Sequence, residues 1–340
     1  MTDSIYRGYV VEQKTLPVDD EVKELIKRLK SGEKIKREEL TALKNRDFST
    51  FDLSAINLGN LDLSGCTFFN ANLSETNFYQ TNLTNADFTA ANLTETIFTD
   101  ATLTNVGFGH ATLKETVFFN AKMHNSTLTG AKIEKCDFRT ADLSNARMRE
   151  AKIADSDFTR AKITDVDLSY TDVKHSIFND ADLRSTTLRN MTNYESCSWI
   201  GVDIRNVNFS SAYRIRRFIV DQNYIDEFKT TNKLYEFIYF IWWITSDCGR
   251  SMMRWLILIL IQILFFAFVY SFVELKFSVD ENWFSYIYFS IVTTTTLGYG
   301  DIIPVTPMAQ IIASIQVAMG YTMLGGFLSI LTNKLARRAD

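Results

Sequence analysis

The chain has 340 residues, of which 36 are lysine or arginine and 40 are aspartate or glutamate, giving a net charge of -4. This balance argues against binding of nucleic acid driven by bulk basicity, and no nucleic acid partner is expected. The charge is unevenly placed, because residues 1–249 hold 65 of the 76 charged residues and residues 255–333 hold five. A soluble domain rarely leaves so long a stretch bare of charge, so we expect a polar N-terminal part and a membrane-embedded C-terminal part.

Residues 1–47 are predicted to form a helical cap. The first twenty residues contain no apolar run, so we expect no cleavable signal peptide. Residues 18–30 and 36–44 show a helical pattern, with apolar residues such as Leu25 and Leu29 on one face. Such a face needs a partner surface, and we expect it to cover the open end of the repeat that follows.

Residues 48–212 contain an internal repeat of five residues. Every fifth residue from Phe48 to Leu188 is apolar, without a miss over 29 positions. Two residues before each of these comes a second, mostly small residue, such as Ala71 or Thr76. A period of five matches neither a helix nor a flat strand. The chain must therefore turn regularly, with one large and one small side chain of each unit pointing inward.

The repeat motif has a recognisable form. AlaAsnLeu at 71–73 and AlaAspLeu at 141–143 match A(D/N)Lxx, and the region resembles the pentapeptide-repeat family. The resemblance implies a right-handed quadrilateral β-helix with about four pentapeptides per coil. From Leu73 to Phe118, leucine and phenylalanine often alternate, which predicts phenylalanine rings on two opposed faces that stack along the axis.

The five-residue register breaks after Leu188 and returns, shifted by one residue, at Ile204 and Phe209. A one-residue bulge and an irregular last coil both explain the shift. Residues 213–254 then predict a linker, in which 234–244 is rich in aromatic residues but too short to cross a bilayer. We expect this short segment to be an interfacial helix that precedes the first membrane span.

Residues 255–340 predict a pore domain with two membrane spans. Residues 255–273 contain only two non-apolar residues, and as a helix they reach about 28 Å, enough to cross the hydrocarbon core. Residues 308–332 form the second uncharged run. Between the spans, 283–296 is uncharged but too short to cross, and a glycine-rich turn follows it. Non-helical backbone at membrane depth is tolerated only where it lines a water-filled cavity, which predicts a re-entrant pore helix and loop.

The loop reads ThrThrThrThrLeuGlyTyrGlyAsp over 293–301 and resembles the potassium-channel signature TxTT(V/L)GYGD, in the form found in bacterial two-span channels. In such a filter, successive carbonyls point at one axis and replace the water shell of a dehydrated cation. One chain supplies a quarter of the ring, so the resemblance implies a homotetramer. The implied filter is Thr296, Leu297, Gly298, Tyr299 and Gly300, with K+ held at the first four of these residues and Asp301 at the outer mouth.

Position suggests three further roles in the membrane domain. Gly320 lies where bacterial two-span channels place a hinge, although close helix packing explains a glycine there equally well. Gln262, in the first span, predicts a hydrogen bond between helices in preference to an ion ligand. Apolar residues late in the second span predict an inner gate that closes by dewetting. The candidate gate residues are Phe327, Leu328 and Leu331.

The flanking charges predict an orientation. Arg250 and Arg254 precede the first span and Arg337 and Arg338 follow the second, whereas the connection between the spans holds a single lysine. Both chain ends are therefore expected in the cytoplasm, in an inner-membrane protein with its repeat domain in the cytosol. A helix with a basic residue at every third position is missing from the sequence, so intrinsic voltage sensing is not expected.

The sequence thus predicts a multi-domain chain, with a β-helix joined to an α-helical membrane domain that assembles as a tetramer. Its predicted function is passive, selective conduction of K+ across the lipid bilayer without a cofactor. A nonselective cation channel and a membrane scaffold whose repeat domain binds a partner protein are the alternatives. No catalytic constellation is visible in the sequence, and an enzyme is not expected. The repeat domain is expected to serve assembly, docking of an unknown protein, or gating by an unidentified ligand.

Overall fold

The computed structural model describes residues 20–33, 39, 46–210, 212–278 and 280–336. These residues divide into two compact units, one ending at Asp226 and the other beginning at Glu227. Most of the helix predicted over 36–44 lies outside the described residues.

The first unit begins with helix α1, Asp20–Lys30. Its apolar face, which includes Val22 and Leu29, is buried in the same core cluster as Phe48, the first large residue of the repeat. The Lys30 ammonium lies 2.7 Å from the Asp52 carboxylate, at the edge of this contact. The helix therefore covers the apolar side chains of the first coil, as the one-sided pattern of its sequence predicts.

The repeat region is a β-helix in which the extended residue of each unit pairs with the residue twenty positions later. Parallel bridges join Asn72 to Asn92 and Asn92 to Thr112, and this offset continues along the repeat. Twenty residues make one coil, so each coil holds four of the five-residue units. Where the bridges lengthen into short parallel strands, the ranges are β1 Thr112–Lys114, β2 Lys132–Glu134, β3 Lys152–Ala154 and β4 Asp172–Lys174.

The five-residue period arises from a turn in every unit. Asn85, Ala90 and Glu95 have φ of 60°, 60° and 57°, and the same left-handed backbone recurs at the equivalent position of almost every unit. A left-handed residue turns the chain through a corner. The extended residues between corners form the bridges to the neighbouring coils. The large residue at the centre of each unit, such as Leu93, therefore always points inward, where it is fully buried.

Phenylalanine rings fill the interior in two stacked columns. In one column, Phe98, Phe118 and Phe138 stack with centroids 5.0 Å and 4.7 Å apart. The other column contains Phe88 and Phe108, stacked at 5.3 Å, and the two columns meet edge to face at about 6 Å. The ring stacking predicted from the leucine–phenylalanine alternation is confirmed.

Threonine at the small inward position is buried without an unpaired hydroxyl. The hydroxyls of Thr76, Thr96 and Thr116 each donate to a leucine carbonyl of the preceding coil, at 2.8, 2.8 and 2.7 Å. A buried hydroxyl without a partner would cost free energy, and these bonds offset that cost while tying one coil to the next.

The register shift after Leu188 is a one-residue insertion. Thr192 still pairs with Asp172 at an offset of twenty, but Ser198 pairs with Ile177 at an offset of twenty-one. The short 3-10 helix Tyr194–Ser196 lies between the two bridges and accommodates the extra residue. Trp199, which the sequence analysis missed, takes the next core position, stacked on Phe178 at 4.3 Å and fully buried.

Helix α2, Tyr213–Thr230, begins within the region predicted as a linker. Ile215 and Ile219 are buried in the core cluster of the repeat. The side-chain oxygen of Gln222 accepts a hydrogen bond from the Trp199 amide at 2.6 Å, and the Asn223 amide donates to the Trp199 carbonyl at 2.8 Å. These side chains satisfy backbone groups that an open β-helix end leaves unpaired.

Two neighbouring residues of the repeat give a test of the ring columns. Phe118 is fully buried between two rings, whereas Phe119 is 40% exposed beneath the Arg139 guanidinium. Phe118→Ala is expected to lower the free energy of unfolding of the repeat by about 3–5 kcal/mol, through lost burial and a cavity. Phe119→Ala should cost less than about 1 kcal/mol. Urea unfolding of the detergent-solubilised full-length protein, followed by far-UV circular dichroism, measures both, and equal losses would contradict the column packing.

The second unit is mainly helical. Helix α3, Lys233–Ser246, begins at the N-cap Asn232 and includes the aromatic segment predicted to be interfacial. A turn with left-handed residues at Asp247, Cys248 and Gly249 leads into helix α4, which begins after the N-cap Ser251. The remaining elements are α4 Met252–Tyr270, β5 Leu275–Phe277, α5 Ser285–Thr294, β6 Ile302–Pro304 and α6 Pro307–Ala336.

Helices α4 and α6 are long and apolar enough to cross a membrane. Their apolar stretches, Met252–Tyr270 and Pro307–Thr332, have mean hydropathies of 2.4 and 1.6. Only a small share of each stretch is buried within the chain, unlike a core helix of a soluble protein. Helix α4 begins three residues before the predicted span and ends at Tyr270, before the first charged residue of the connection.

Candidate functional site

The candidate site is the loop that follows helix α5. The helix is buried on the side that packs against α4 and α6, through residues that include Phe289 and Val292. It is uncharged and ten residues long, too short to cross a bilayer. At the end of α5, the amides of Thr296 and Leu297 donate to Thr293 and Val292 carbonyls at 3.1 and 3.0 Å, and the helix then gives way to irregular backbone.

The backbone of this loop alternates in hand. Thr296, Gly298 and Gly300 have φ of 59°, 54° and 77°, while Leu297 and Tyr299 between them are outside the left-handed region. In an extended strand, successive carbonyls point to opposite sides, whereas alternation between right- and left-handed residues brings like backbone groups to one side. Glycine adopts the left-handed backbone at little cost, which explains two of the three positions.

The carbonyl oxygens of the loop accept no hydrogen bond from the described part of the chain. Among the described residues, none donates a hydrogen bond to the carbonyl oxygen of Thr296, Leu297, Gly298 or Tyr299. The side chains of Leu297 and Tyr299 are 57% and 66% exposed in the single chain. Four successive carbonyls are therefore free to face a ligand or water, and the loop as a whole lacks lateral packing from its own chain.

Asp301 anchors the C-terminal end of the loop. Its carboxylate accepts a hydrogen bond from the Tyr288 hydroxyl at 2.7 Å and from the Ile302 amide at 3.1 Å. Its carbonyl accepts from the Ser278 amide at 2.9 Å, next to the antiparallel pair formed by β5 and β6. These bonds fix this end of the loop both to α5 and to the β5–β6 pair beside it.

Gly320 lies on helix α6 where that helix touches the end of α5. A Cβ built at Gly320 would clash with the carbonyl oxygen of Thr294 and would lie 3.1 Å from the Thr294 Cα. A close backbone approach thus requires glycine here, whether or not the position also bends. The hinge itself stays a prediction.

A second close contact lies further along α6. The Trp255 indole donates to the Met323 carbonyl at 2.7 Å, and a Cβ at Gly326 would clash with the indole Cζ2 and lie 2.9 Å from its Cε2. Gly325, in contrast, faces open space. The predicted gate residues follow on the next turns, where Leu328 is 59% exposed and Phe327 and Leu331 are half-buried within the chain.

The interhelical hydrogen bond predicted for Gln262 is absent from the described part of the chain. Gln262 is buried, but neither of its side-chain polar atoms has a hydrogen-bond partner there. The buried glutamine that joins helices is Gln316, which the sequence analysis did not single out. A glutamine inside an uncharged run is the same sequence signal at both positions, so the run alone does not show which glutamine has a hydrogen-bond partner.

Family models match both parts of the chain. Residues 256–337 match a model described as ion channel. Residues 41–118 match the pentapeptide repeat region model, and residues 101–139, 121–160 and 141–180 match the pentapeptide repeats model.

Two curated relatives are similar to this chain over short stretches. The calcium-gated potassium channel TvoK of Thermoplasma volcanium is 36% identical over 52 residues, which are 15% of this chain and 15% of that protein. Two-pore potassium channel 4 of Arabidopsis thaliana is 38% identical over 82 residues, 22% of this chain and 29% of that protein. The chain thus spans less than a third of the length of either relative.

Solved structures are similar to about half of the chain. The plasmid-mediated fluoroquinolone resistance protein QnrB1 is 20% identical, with a TM-score of 0.39 over 50% of this chain and 86% of that one. HetL from the cyanobacterium Nostoc is also 20% identical, with a TM-score of 0.24 over 56% of this chain and 92% of that one.

The chain therefore combines two known modules. Its C-terminal part is an ion channel domain whose relatives are potassium channels. The repeat region before it matches the pentapeptide-repeat models and forms a β-helix.

Proposed function

We propose that the protein is a potassium-selective channel in which the loop after α5 is the filter. The observation that carries this proposal is the run of four carbonyls, from Thr296 to Tyr299, that have no donor among the described residues and lie on backbone of alternating hand. An unsatisfied carbonyl at membrane depth costs several kcal/mol, roughly, unless water or a cation replaces the missing donor. Carbonyl oxygens are the ligands that a K+ filter uses in place of water.

In this proposal K+ binds at the carbonyls of Thr296, Leu297, Gly298 and Tyr299, Gly300 completes the turn, and Asp301 lies at the outer mouth. One loop cannot surround an ion, and the exposed Leu297 and Tyr299 side chains leave surface for neighbouring subunits. A homotetramer closes the ring and covers these side chains. The apolar residues Phe327, Leu328 and Leu331 form the inner gate of that tetramer.

The proposed channel lies in the inner membrane, with both chain ends in the cytoplasm. The β-helix, which we infer to be right-handed and quadrilateral, then lies on the cytosolic side. Its interior is filled by stacked rings from Phe48 to Trp199, so a ligand inside the rod would have to displace core side chains. Because the core is filled, we favour assembly or protein docking on the outer surface as the role of the repeat domain. Any gating by this domain would then act through a contact on that surface.

Cation flux into liposomes tests the proposal. Purified full-length protein is reconstituted, and flux is measured first under a K+ gradient and then under an equal Na+ gradient, with single-channel recording in planar bilayers as the second readout. We expect K+ flux that greatly exceeds Na+ flux. Equal flux of the two ions would identify a nonselective cation channel, and a protein that assembles but conducts neither ion would favour the scaffold.

The same assay addresses the repeat domain. A shortened chain that begins at Tyr235 is compared with the full-length protein at equal amounts of inserted protein. K+ flux from both chains would make the repeat domain a scaffold or a modulator. A higher K+ flux from the shortened chain would mean that the repeat domain inhibits conduction, and a lower one that it promotes conduction. Flux from the full-length protein alone would make the repeat necessary for assembly or opening.

A further inference from the structure

A buried polar network joins the three membrane-domain helices behind the candidate filter. Gln316, on α6, is fully buried. Its side-chain oxygen accepts a hydrogen bond from the Tyr270 hydroxyl of α4 at 2.6 Å. Its amide nitrogen lies 2.6 Å from the Ser290 hydroxyl, 3.0 Å from the Ser290 carbonyl and 2.9 Å from the Thr294 hydroxyl of α5. We call Tyr270, Ser290, Thr294 and Gln316 the Gln316 network.

The network is complete. A glutamine side chain offers two N–H donors and a carbonyl acceptor, and here both the nitrogen and the oxygen have partners. The Ser290 hydroxyl in turn donates to the Ile263 carbonyl of α4 at 2.7 Å. Burying these groups among apolar side chains is unfavourable unless every one is bonded, so the network fixes one relative placement of α4, α5 and α6.

The network acts on the residue from which the loop departs. Thr294 is the last residue of α5 and precedes Thr296, the first left-handed residue of the loop, by two positions. Helix α6 contacts Thr294 twice, through the Gln316 amide and through the backbone of Gly320, which lies one turn further along the same face. Helix α6 therefore holds the start of the loop through the Gln316 side chain and through the main chain at Gly320.

We propose that Gln316, held by Tyr270, is a positioning residue for ion selection. This inference rests on the proposed function of the loop as a K+ filter. A carbonyl ring discriminates K+ from the smaller Na+ only while its oxygens keep their positions. The Gln316 network fixes the end of the pore helix, and through it the first carbonyls of the loop. Its loss relaxes the loop and lowers selectivity, while the apolar contacts among the helices keep the subunit folded.

The test uses the full-length protein and three single variants. Gln316→Met keeps the length of the side chain but can neither donate nor accept strongly. Tyr270→Phe removes one hydroxyl and keeps the ring. Gln310→Met, at a residue of α6 that is exposed in the chain, makes the same exchange outside the network. The readouts are the K+/Na+ permeability ratio, from reversal potentials in planar bilayers, and the amount of assembled protein.

We expect Gln316→Met to assemble and conduct with a permeability ratio lowered by about tenfold, and Tyr270→Phe to lower it by about threefold. The double variant should be no worse than Gln316→Met, because Tyr270 acts through Gln316. Gln310→Met should keep the wild-type ratio.

A wild-type ratio in both network variants would overturn the inference. If Gln316→Met fails to assemble, Tyr270→Phe decides alone, since it leaves the shape of the core intact, and a wild-type ratio in that variant also overturns the inference. A wild-type protein that does not discriminate K+ from Na+ would instead overturn the proposed function, and this result is visible before any variant is measured.

Discussion

Gly298→Ala is expected to remove the preference for K+ while leaving the protein assembled. Gly298 has a φ of 54°, and an alanine there would meet no atom within 4 Å, so the substitution acts through the backbone and not through a clash. Left-handed backbone costs an L-residue roughly 1–2 kcal/mol, and in a tetramer the cost is paid in each of the four subunits. The loop should relieve it by turning the peptide, which moves carbonyls off the axis.

We therefore expect the K+/Na+ permeability ratio of Gly298→Ala to fall by at least about tenfold in reversal-potential measurements. Gly32→Ala is the matched control, because Gly32 has a φ of 82° and a Cβ there would also meet no atom of the described residues within 4 Å, but Gly32 lies just beyond α1 in the first unit. It carries the same backbone strain at a distance from the loop in sequence. An unchanged ratio in Gly298→Ala would contradict the filter assignment, and a fall in both variants would show that strain anywhere in the chain has this effect.

The repeat could be predicted in detail because its structure is determined locally. Each five-residue unit specifies its own corner and its own inward side chain. The pattern from Phe48 to Leu188 therefore predicts the coils without knowledge of contacts distant in sequence. The end of the repeat was harder. Trp199 stands five residues before Ile204 in the shifted register, but the extra residue between Thr192 and Ser198 could be placed only once the bridge partners of Asp172 and Ile177 were known.

The membrane domain was predicted at the level of elements and not of contacts. Two apolar runs and a threonine-rich loop are visible in the sequence as uninterrupted patterns, and α4, α5 and α6 lie where those patterns are. For a polar residue inside such a run, no periodic pattern in the sequence identifies its hydrogen-bond partner. Gln262 and Gln316 look alike in sequence, yet only Gln316 faces hydroxyls of two other helices, and this depends on how three helices pack.

Gly320 shows the same limit, since the sequence alone cannot distinguish a hinge from a packing site. Replacing Gly320 with alanine should have a large effect. In Gly320→Ala the new methyl group would clash with the Thr294 carbonyl, and backbone on α5 or α6 would have to move. Overpacking of this kind costs roughly 1–3 kcal/mol per site, so four subunits would lose about 4–12 kcal/mol in the assembled channel. We expect a less heat-stable tetramer in detergent and K+ flux per protein lowered by more than about tenfold.

Gly325→Ala separates packing from bending, because Gly325 is on the same helix but has no atom within 4 Å of a Cβ. Each substitution removes one glycine from α6 and stiffens it to a similar degree, since alanine is the stronger helix former. Only Gly320→Ala adds a clash. If close approach to Thr294 is the reason for the glycine, tetramer stability should fall in Gly320→Ala and hold in Gly325→Ala, as measured by size-exclusion chromatography after heating. A Gly320→Ala tetramer as heat-stable as the wild type, with only its open probability altered, would instead identify Gly320 as the hinge.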